Sequence, residues 1–213
     1  MSVFDQRYAQ AYDLLYQDKD YATEANYVVE LAKQFVRQPQ MWLDIGCGTG
    51  RHVRFIAEPV SHMVGIDVSA EMIALAEAGR PDNVTLKCAH SGTFRSEQPF
   101  DVITALFYVF NCHCQAKDVH GLLTTVSQCL AKKGVFIFDF WYGSAVLRDP
   151  PTVRSKKAQD EKWDILRYSE SVMNYQHNQV EVNFTTHLYN LQTASLVIET
   201  ENNWYGVMEV TKR

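Results

Sequence analysis

The sequence predicts an α/β protein: a doubly wound, mostly parallel sheet followed by an antiparallel β cover at the C-terminal end. Three observations predict it. Short apolar runs alternate with helix-period segments as far as residue 139, the mark of parallel strands joined by crossover helices. A glycine loop, Gly46-Cys-Gly-Thr-Gly50, stands between the first such run and a helix. Past residue 162 the pattern changes to a period of two, as in antiparallel strands with one apolar face.

Between Tyr21 and Phe35, the residues Val28, Leu31, Ala32 and Phe35 fall at i, i+3, i+4 and i+7, one face of a helix that Pro39 terminates. Met41–Ile45 is the first strand, and Arg51–Glu58 has helical character up to Pro59. His62–Asp67 is the second strand. Ser69 is placed to cap the next helix, with Glu71 in its first turn and Gly79-Arg-Pro81 closing it. Val84–Cys88 and Phe100–Phe107 are the third and fourth strands. Asp118 is expected to cap a helix whose apolar stripe is Val119, Leu122, Leu123, Val126 and Leu130, and Lys132-Lys133-Gly134 reads as its stop. Gly134–Asp139 is the fifth strand. The stretch from Asp149-Pro-Pro151 to Lys162 is polar and proline-marked, a connector. Three antiparallel strands follow, in Trp163–Asn174, the segment around Val180–Leu188, and Ser195–Gly206, with Asn178 and Asn190 at turns. The expected division is 1–148, an α/β core with an N-terminal helical segment, and 149–213, the β cover.

The chain has 213 residues, enough for a substantial core. Twenty basic against twenty-five acidic residues give a net charge of −5, which argues against nucleic acid as the main partner. No run approaches 18 consecutive apolar residues, so no membrane span is expected. The start lacks the apolar core of a signal peptide. The cysteine count, five, is odd; reduced thiols and a cytoplasmic location are expected. Oligomeric state is not legible.

Chemistry concentrates in Asp44-Ile-Gly-Cys-Gly-Thr-Gly50. Glycines let the backbone turn tightly and approach a ligand with no Cβ in the way. A dinucleotide fingerprint starting at Gly46 requires glycine at 51, which is Arg51. Instead a carboxylate, Asp44, precedes the loop by two residues. It would repel a pyrophosphate and suits a cationic ligand such as S-adenosylmethionine (SAM), which carries a sulfonium and an ammonium and no phosphate. Asp67, 17 residues beyond Gly50 at the end of the second strand, is placed to accept both ribose hydroxyls.

With these features the chain resembles the class I SAM-dependent methyltransferases over roughly residues 8–140, including Phe100-Asp-Val-Ile-Thr-Ala-Leu-Phe107. Tyr12-Asp-Leu-Leu-Tyr16, Lys19-Asp-Tyr21 and Glu24 are similar to the N-terminal region of small-molecule members, closest to N-methyltransferases of nucleotide-linked aminosugars. The resemblance implies a Rossmann-like fold, with SAM on Gly46, Cys47 and Gly48 and ribose on Asp67. It places adenine near Val68, Met72, Ala89, His90 and Ser91, and Tyr12, Tyr16 and Tyr21 near the methionine end. Leu106 completes the expected cofactor contacts. Two departures stand out. The family often has Gly-Asp after the third strand, where this chain has Ala89-His90. The family also continues into a further helix and a final strand pair beside strand five, whereas this chain stops at Arg213. Either the last strands fill that place or the polypeptide is shorter than a complete enzyme.

For the acceptor, His113 is the candidate base, at the carboxyl edge after the fourth strand. Tyr12 is a second candidate, and Asp139 is placed to hold an amine or hydroxyl, or else to cap a turn. Asn111-Cys-His-Cys114 lacks zinc-site spacing, and no metal is expected. Phe140-Trp-Tyr142 is core or lid packing with a possible stacking role, Arg154–Lys157 a solvated connector, and His52 a solvent-facing side chain. The favoured function is methyl transfer from SAM to a small molecule, with an aminosugar nitrogen as the narrower expectation. The alternatives are a non-catalytic or truncated SAM-binding protein and a nucleotide-dependent oxidoreductase.

Overall fold

The computed structural model describes residues 6–208. They form two compact units: Lys19–Phe110 with Gln115–Asp139 and the first turn of the N-terminal helix, and Gln10–Asp18 with Asn111–Cys114 and the chain from Phe140 on. No helix among the described residues is long and apolar enough to cross a membrane.

The first unit is a five-stranded parallel sheet: β1 (Met41–Ile45), β2 (His62–Asp67), β3 (Val84–Cys88), β4 (Phe100–Ala105) and β5 (Leu130–Phe138), in the order β3-β2-β1-β4-β5. The chain reverses direction across the sheet between β1 and β4, which opens a crevice at their carboxyl ends. The central strands are apolar runs buried over nearly their whole length. Around them α2 (Tyr21–Lys33) contributes Ala25, Val28, Val29 and Ala32 to a core with Trp42, Met63, Val84 and Val102. Two further helices, α3 (Arg51–Ile56) and α4 (Ala70–Glu77), follow the strands as expected. The Ser69 hydroxyl caps α4 by accepting from the Met72 N–H at 3.2 Å.

Two expectations about the chain after β4 are corrected. Helix α5 (Ala116–Cys129) begins at an N-cap of Gln115, so Asp118 lies within its first turn, where it faces the positive end of the helix dipole. Lys132-Lys133-Gly134 does not stop that helix; the chain enters β5 directly at Leu130. The register against β4 slips between Phe100 and Val102. A Cβ at Gly134 would sit 2.8 Å from the Asp101 carbonyl oxygen, so this glycine serves the close approach at the bulge.

In the second unit the last described strands do not pair with β5, which is an edge strand among the described residues. They form a separate antiparallel sheet in the order β6-β7-β8-β9: β6 (Arg154–Gln159), β7 (Trp163–Asn174), β8 (Gln179–Asn190) and β9 (Ser195–Gly206). The expected sheet of three strands therefore has four. The 154–159 segment, expected to be a solvated connector, is an edge strand paired with β7 from Arg154↔Ser169 to Gln159↔Asp164. A short helix α6 (Gly143–Arg148) precedes it.

One end of this sheet is apolar: Ala158, Ile165 and Leu188 pack with Ala11 and Leu15 of helix α1 (Gln6–Leu15). The middle of the same face is polar. Arg167, opposite Thr186, is buried and donates from Nη2 to the Tyr16 hydroxyl at 2.9 Å. Its guanidinium also stands over the Tyr16 and Phe184 rings, at 5.1 and 4.8 Å.

Candidate functional site

The site is assembled in the first unit, at the carboxyl ends of β1, β2, β4 and β5. Gly46, Gly48 and Gly50 all hold left-handed backbone, with φ of 72°, 54° and 74°. At Gly46 the constraint is double, because a Cβ there would lie 2.5 Å from a Val109 methyl. The Gly46 and Cys47 N–H groups donate to the Ile66 carbonyl at 2.8 and 3.0 Å, tying the loop to β2. No side chain lies within 4 Å of where a Gly48 Cβ would be, so that peptide is open to a ligand.

Asp67 closes the loop from the other side. Its Oδ2 accepts the Gly48 N–H and its Oδ1 the Ser69 N–H, both at 2.9 Å. An ionised carboxylate offers about four acceptor positions, more than its backbone N–H partners use, so acceptor capacity is left for a diol. Burial pushes the Asp67 carboxyl up, and the N–H bonds from Ser69, Gly48 and Val68 work against that.

Asp44 is deeper. It sits in register with Thr104 of β4, whose hydroxyl donates to Asp44 Oδ1 at 2.7 Å, and Trp42 Nε1–H donates in turn to the Thr104 oxygen at 3.0 Å. Burial raises its pKa to about 7, opposed by the Thr104 bond and aided by the negative charges of Asp67 and Asp139. The charges of Asp67 and Asp139 both bear on Asp44, and an acidic strand edge of this kind favours a positively charged ligand.

Asp139, just past β5, accepts the Phe107 N–H on Oδ2 at 2.9 Å and the Tyr108 N–H on Oδ1 at 2.6 Å. These two residues carry φ of 61° and 65°, rare for side chains of that size. Burial raises the Asp139 pKa, while the two N–H bonds oppose it. Asp139 thus caps a turn, the plainer of its two sequence readings.

His52, expected to face solvent, is instead buried. Its Nε2 lies 2.9 Å from Glu24 Oε2, and the Tyr21 ring meets it edge-on with centroids 4.9 Å apart. Burial lowers the His52 pKa, with the Glu24 bond working the other way. Lys19 forms an ion pair with the same Glu24 oxygen and stands over the Tyr21 and Phe107 rings at 4.9 and 4.7 Å. Although burial opposes it, the bonds from Lys19 and His52 hold Glu24 below the usual carboxylate range. Sequence reasoning missed Thr104 and His52, whose partners are distant in the chain. Only a strand alignment, which puts Thr104 beside Asp44, offered a signal for the first.

The remaining expected residues fall as follows. Tyr21, Asp44, Gly46, Cys47, Gly48, Asp67, Val68, Met72, Ala89, His90, Ser91 and Leu106 all belong to the first unit. Met72 and Ser91 are buried and Val68 is exposed. Leu106 packs partly against the core, and burial raises the pKa of the Cys47 thiol. Ala89 N–H donates to the Asp67 carbonyl at 2.8 Å. Tyr12 and His113 belong to the second unit; the Tyr12 ring packs against Tyr16 at 4.7 Å, and His113 follows a 3-10 turn at Phe110–Cys112. Trp141, of the expected lid segment, packs against Tyr205 at 5.2 Å, and its N–H donates to Asn111 Oδ1 at 3.1 Å.

Residues 43–134 match the family model described as a methyltransferase domain. Among curated proteins, the chain is 24% identical over 185 residues to the dTDP-3-amino-3,4,6-trideoxy-alpha-D-glucopyranose N,N-dimethyltransferase of Streptomyces venezuelae, covering 86% of this chain and 77% of that protein. It is 28% identical over 143 residues to the dTDP-4-amino-2,3,4,6-tetradeoxy-D-glucose N,N-dimethyltransferase of Saccharopolyspora spinosa, where the shares are 66% and 57%. This chain therefore spans little more than half of the second relative. Two solved structures share the fold. DesVI from Streptomyces venezuelae superposes with a TM-score of 0.81 at 20% identity, over 94% of this chain and 84% of that one. CalS10, an amino pentose methyltransferase from Micromonospora echinaspora solved with SAM bound, gives 0.76 at 22% identity, over 98% and 85%.

Proposed function

We propose that the chain is a class I SAM-dependent methyltransferase, with SAM as its cofactor, and that it methylates the amino nitrogen of a sugar, as a small-molecule enzyme of the cytoplasm. The carrying observation is Asp67, fixed by the Gly48 and Ser69 N–H groups beside an open glycine loop. Its remaining acceptor capacity serves the ribose diol, and Asp44 and Asp139 add the negative field that a sulfonium and an ammonium require. The activities of the dimethyltransferase relatives support the aminosugar as acceptor.

When bound, SAM supplies a methyl group already activated on sulfur. The protein is left to orient the acceptor in line and to exclude water, which together are worth roughly 7–11 kcal/mol of the barrier. Gly46, Cys47 and Gly48 would hold the cofactor backbone-first, with Tyr21, Val68, Met72, Ala89, His90, Ser91 and Leu106 as its further contacts. The acceptor nitrogen must arrive unprotonated. His113 is proposed as the group that takes its proton, with Tyr12 as the second candidate. Asp139 is proposed to hold the acceptor through lone pairs that the Phe107 and Tyr108 N–H groups leave unused.

Calorimetry with SAM and S-adenosylhomocysteine tests the cofactor half. Binding near micromolar is expected, with at least a tenfold loss in Asp67→Ala, since hydrogen bonds to a charged group contribute roughly 1.5–3 kcal/mol each. Methyl transfer to a nucleotide-linked aminosugar tests the other half, and His113→Ala should lower kcat while leaving SAM affinity alone. Tight cofactor binding with no transfer to any amine or hydroxyl would instead favour a non-catalytic binding protein.

A further inference from the structure

We propose that His90 recognises the adenine of the cofactor as a hydrogen-bond donor to ring nitrogen N1, and so sets which purine the site accepts. This rests on the cofactor reading above and goes beyond it by assigning an atom-level contact. The placement follows from the sheet. Asp67 at the end of β2 lies in register with Cys88 at the end of β3, and the Ala89 N–H donates to the Asp67 carbonyl at 2.8 Å. His90 is therefore the second residue beyond the strand end, next to the one whose N–H is tied to the Asp67 carbonyl, and the first there with a polar side chain. With the glycine loop on the β1 side of Asp67, a base attached to that ribose extends toward β3.

The hydrogen bonds of His90 decide its chemical character. Its carbonyl accepts the Thr93 and Phe94 N–H groups at 3.1 and 3.0 Å, which fixes the turn. Its Nδ1 accepts the Gly92 N–H at 3.0 Å. A neutral imidazole that accepts at Nδ1 carries its proton on Nε2. The residue is exposed, so Nε2–H is available as a donor. Adenine offers a donor at its exocyclic N6 and an acceptor at N1. A carboxylate at this position would take the N6 proton, whereas an Nε2–H is repelled by it and is complementary to N1. The exchange of Asp for His thus moves recognition from the amino group to the ring nitrogen.

The test titrates the full chain, by calorimetry, with S-adenosylhomocysteine, its 1-deaza analogue and its N6,N6-dimethyl analogue. Wild type should bind the 1-deaza compound about tenfold more weakly than the parent and the dimethyl compound within about twofold of it, as one lost hydrogen bond implies. In His90→Ala the 1-deaza penalty should vanish. In His90→Asp the preference should reverse, with a tenfold penalty moving to the dimethyl compound. Nitrogen NMR of the free protein should show His90 as the Nε2–H tautomer, a readout independent of any variant's folding. Equal binding of parent and 1-deaza compound by wild type, a penalty that persists in His90→Ala, or an Nδ1–H tautomer overturns the inference while leaving the cofactor reading intact. Failure of the parent compound to bind wild type overturns that reading, and this inference with it.

Discussion

The two sheets handle charge in opposite ways. In the parallel sheet, β1, β2 and β4 are buried almost end to end, and the carboxylates Asp44, Asp67 and Asp139 gather where the strands finish. In the antiparallel sheet, β8 alternates between inner and outer faces, and its charged neighbours lie in the middle of the inner face. Arg167 and Glu201 are each under 10% exposed there. A strand buried on both sides has little room for a charge, so polar chemistry collects toward its carboxyl end, where Asp44 needs the Thr104 hydroxyl as a partner. A strand with one wet face can bring a charge to the other, provided a neighbouring strand supplies partners.

The largest effect that would break this contrast is at Gly46. Gly46→Ala adds a left-handed penalty of about 1–2 kcal/mol to an overlap with Val109, itself worth about 1–3 kcal/mol. Gly48→Ala meets nothing within 4 Å and should cost only the first of these. Urea denaturation of the two variants checks the difference; equal losses would mean that the loop is held by conformation alone.

An intermediate effect is the pH dependence of Asp44. Its pKa is raised from 3.8 to about 7 in the folded protein, so the folded state holds this proton more tightly than the unfolded chain does. Its contribution to stability is full below about pH 4 and is lost as pH rises through 7. Cofactor binding should run the other way, because the ionised form attracts the sulfonium. SAM affinity is expected to tighten about tenfold between pH 6 and pH 8, and Asp44→Asn to flatten that profile. A wild-type profile without slope would sink the electrostatic account of the strand edge.

The smallest effect belongs to the antiparallel sheet. Thr186 is 1% exposed, and its hydroxyl has no hydrogen-bond partner among the described residues. Thr186→Val removes a buried, unsatisfied group while keeping the shape, so it should be neutral or stabilising by up to about 1 kcal/mol. A clear loss in melting temperature would show that a buried water satisfies the hydroxyl.

The parallel sheet was legible because its strands are continuous apolar runs and its loop glycines meet real backbone demands. Ser69 as a cap and Asp67 at a strand end were equally plain, since both act within a few residues of where they stand. What escaped was determined by partners far along the chain. Arg-Ser-Lys-Lys-Ala-Gln is a poor strand on propensity, and only its pairing with β7 makes β6 of it. His52 follows a glycine loop and looks solvated until Glu24, 28 positions earlier, reaches it. Gly134 reads as a helix stop because its true neighbour, the Asp101 carbonyl, lies across a bulge. Arg167 gave no warning of its burial, which depends on Tyr16 and Phe184 supplying one hydroxyl and two ring faces.

The turn at Phe107 and Tyr108 is a conformational load borne by one side chain. Glycine or asparagine at either position would adopt that backbone with little penalty, yet the chain keeps two large aromatics there and relies on Asp139 to anchor both amides. The Phe107 ring is thereby held beneath the Lys19 ammonium, so the posture of an aromatic wall beside the crevice depends on a carboxylate 32 residues downstream.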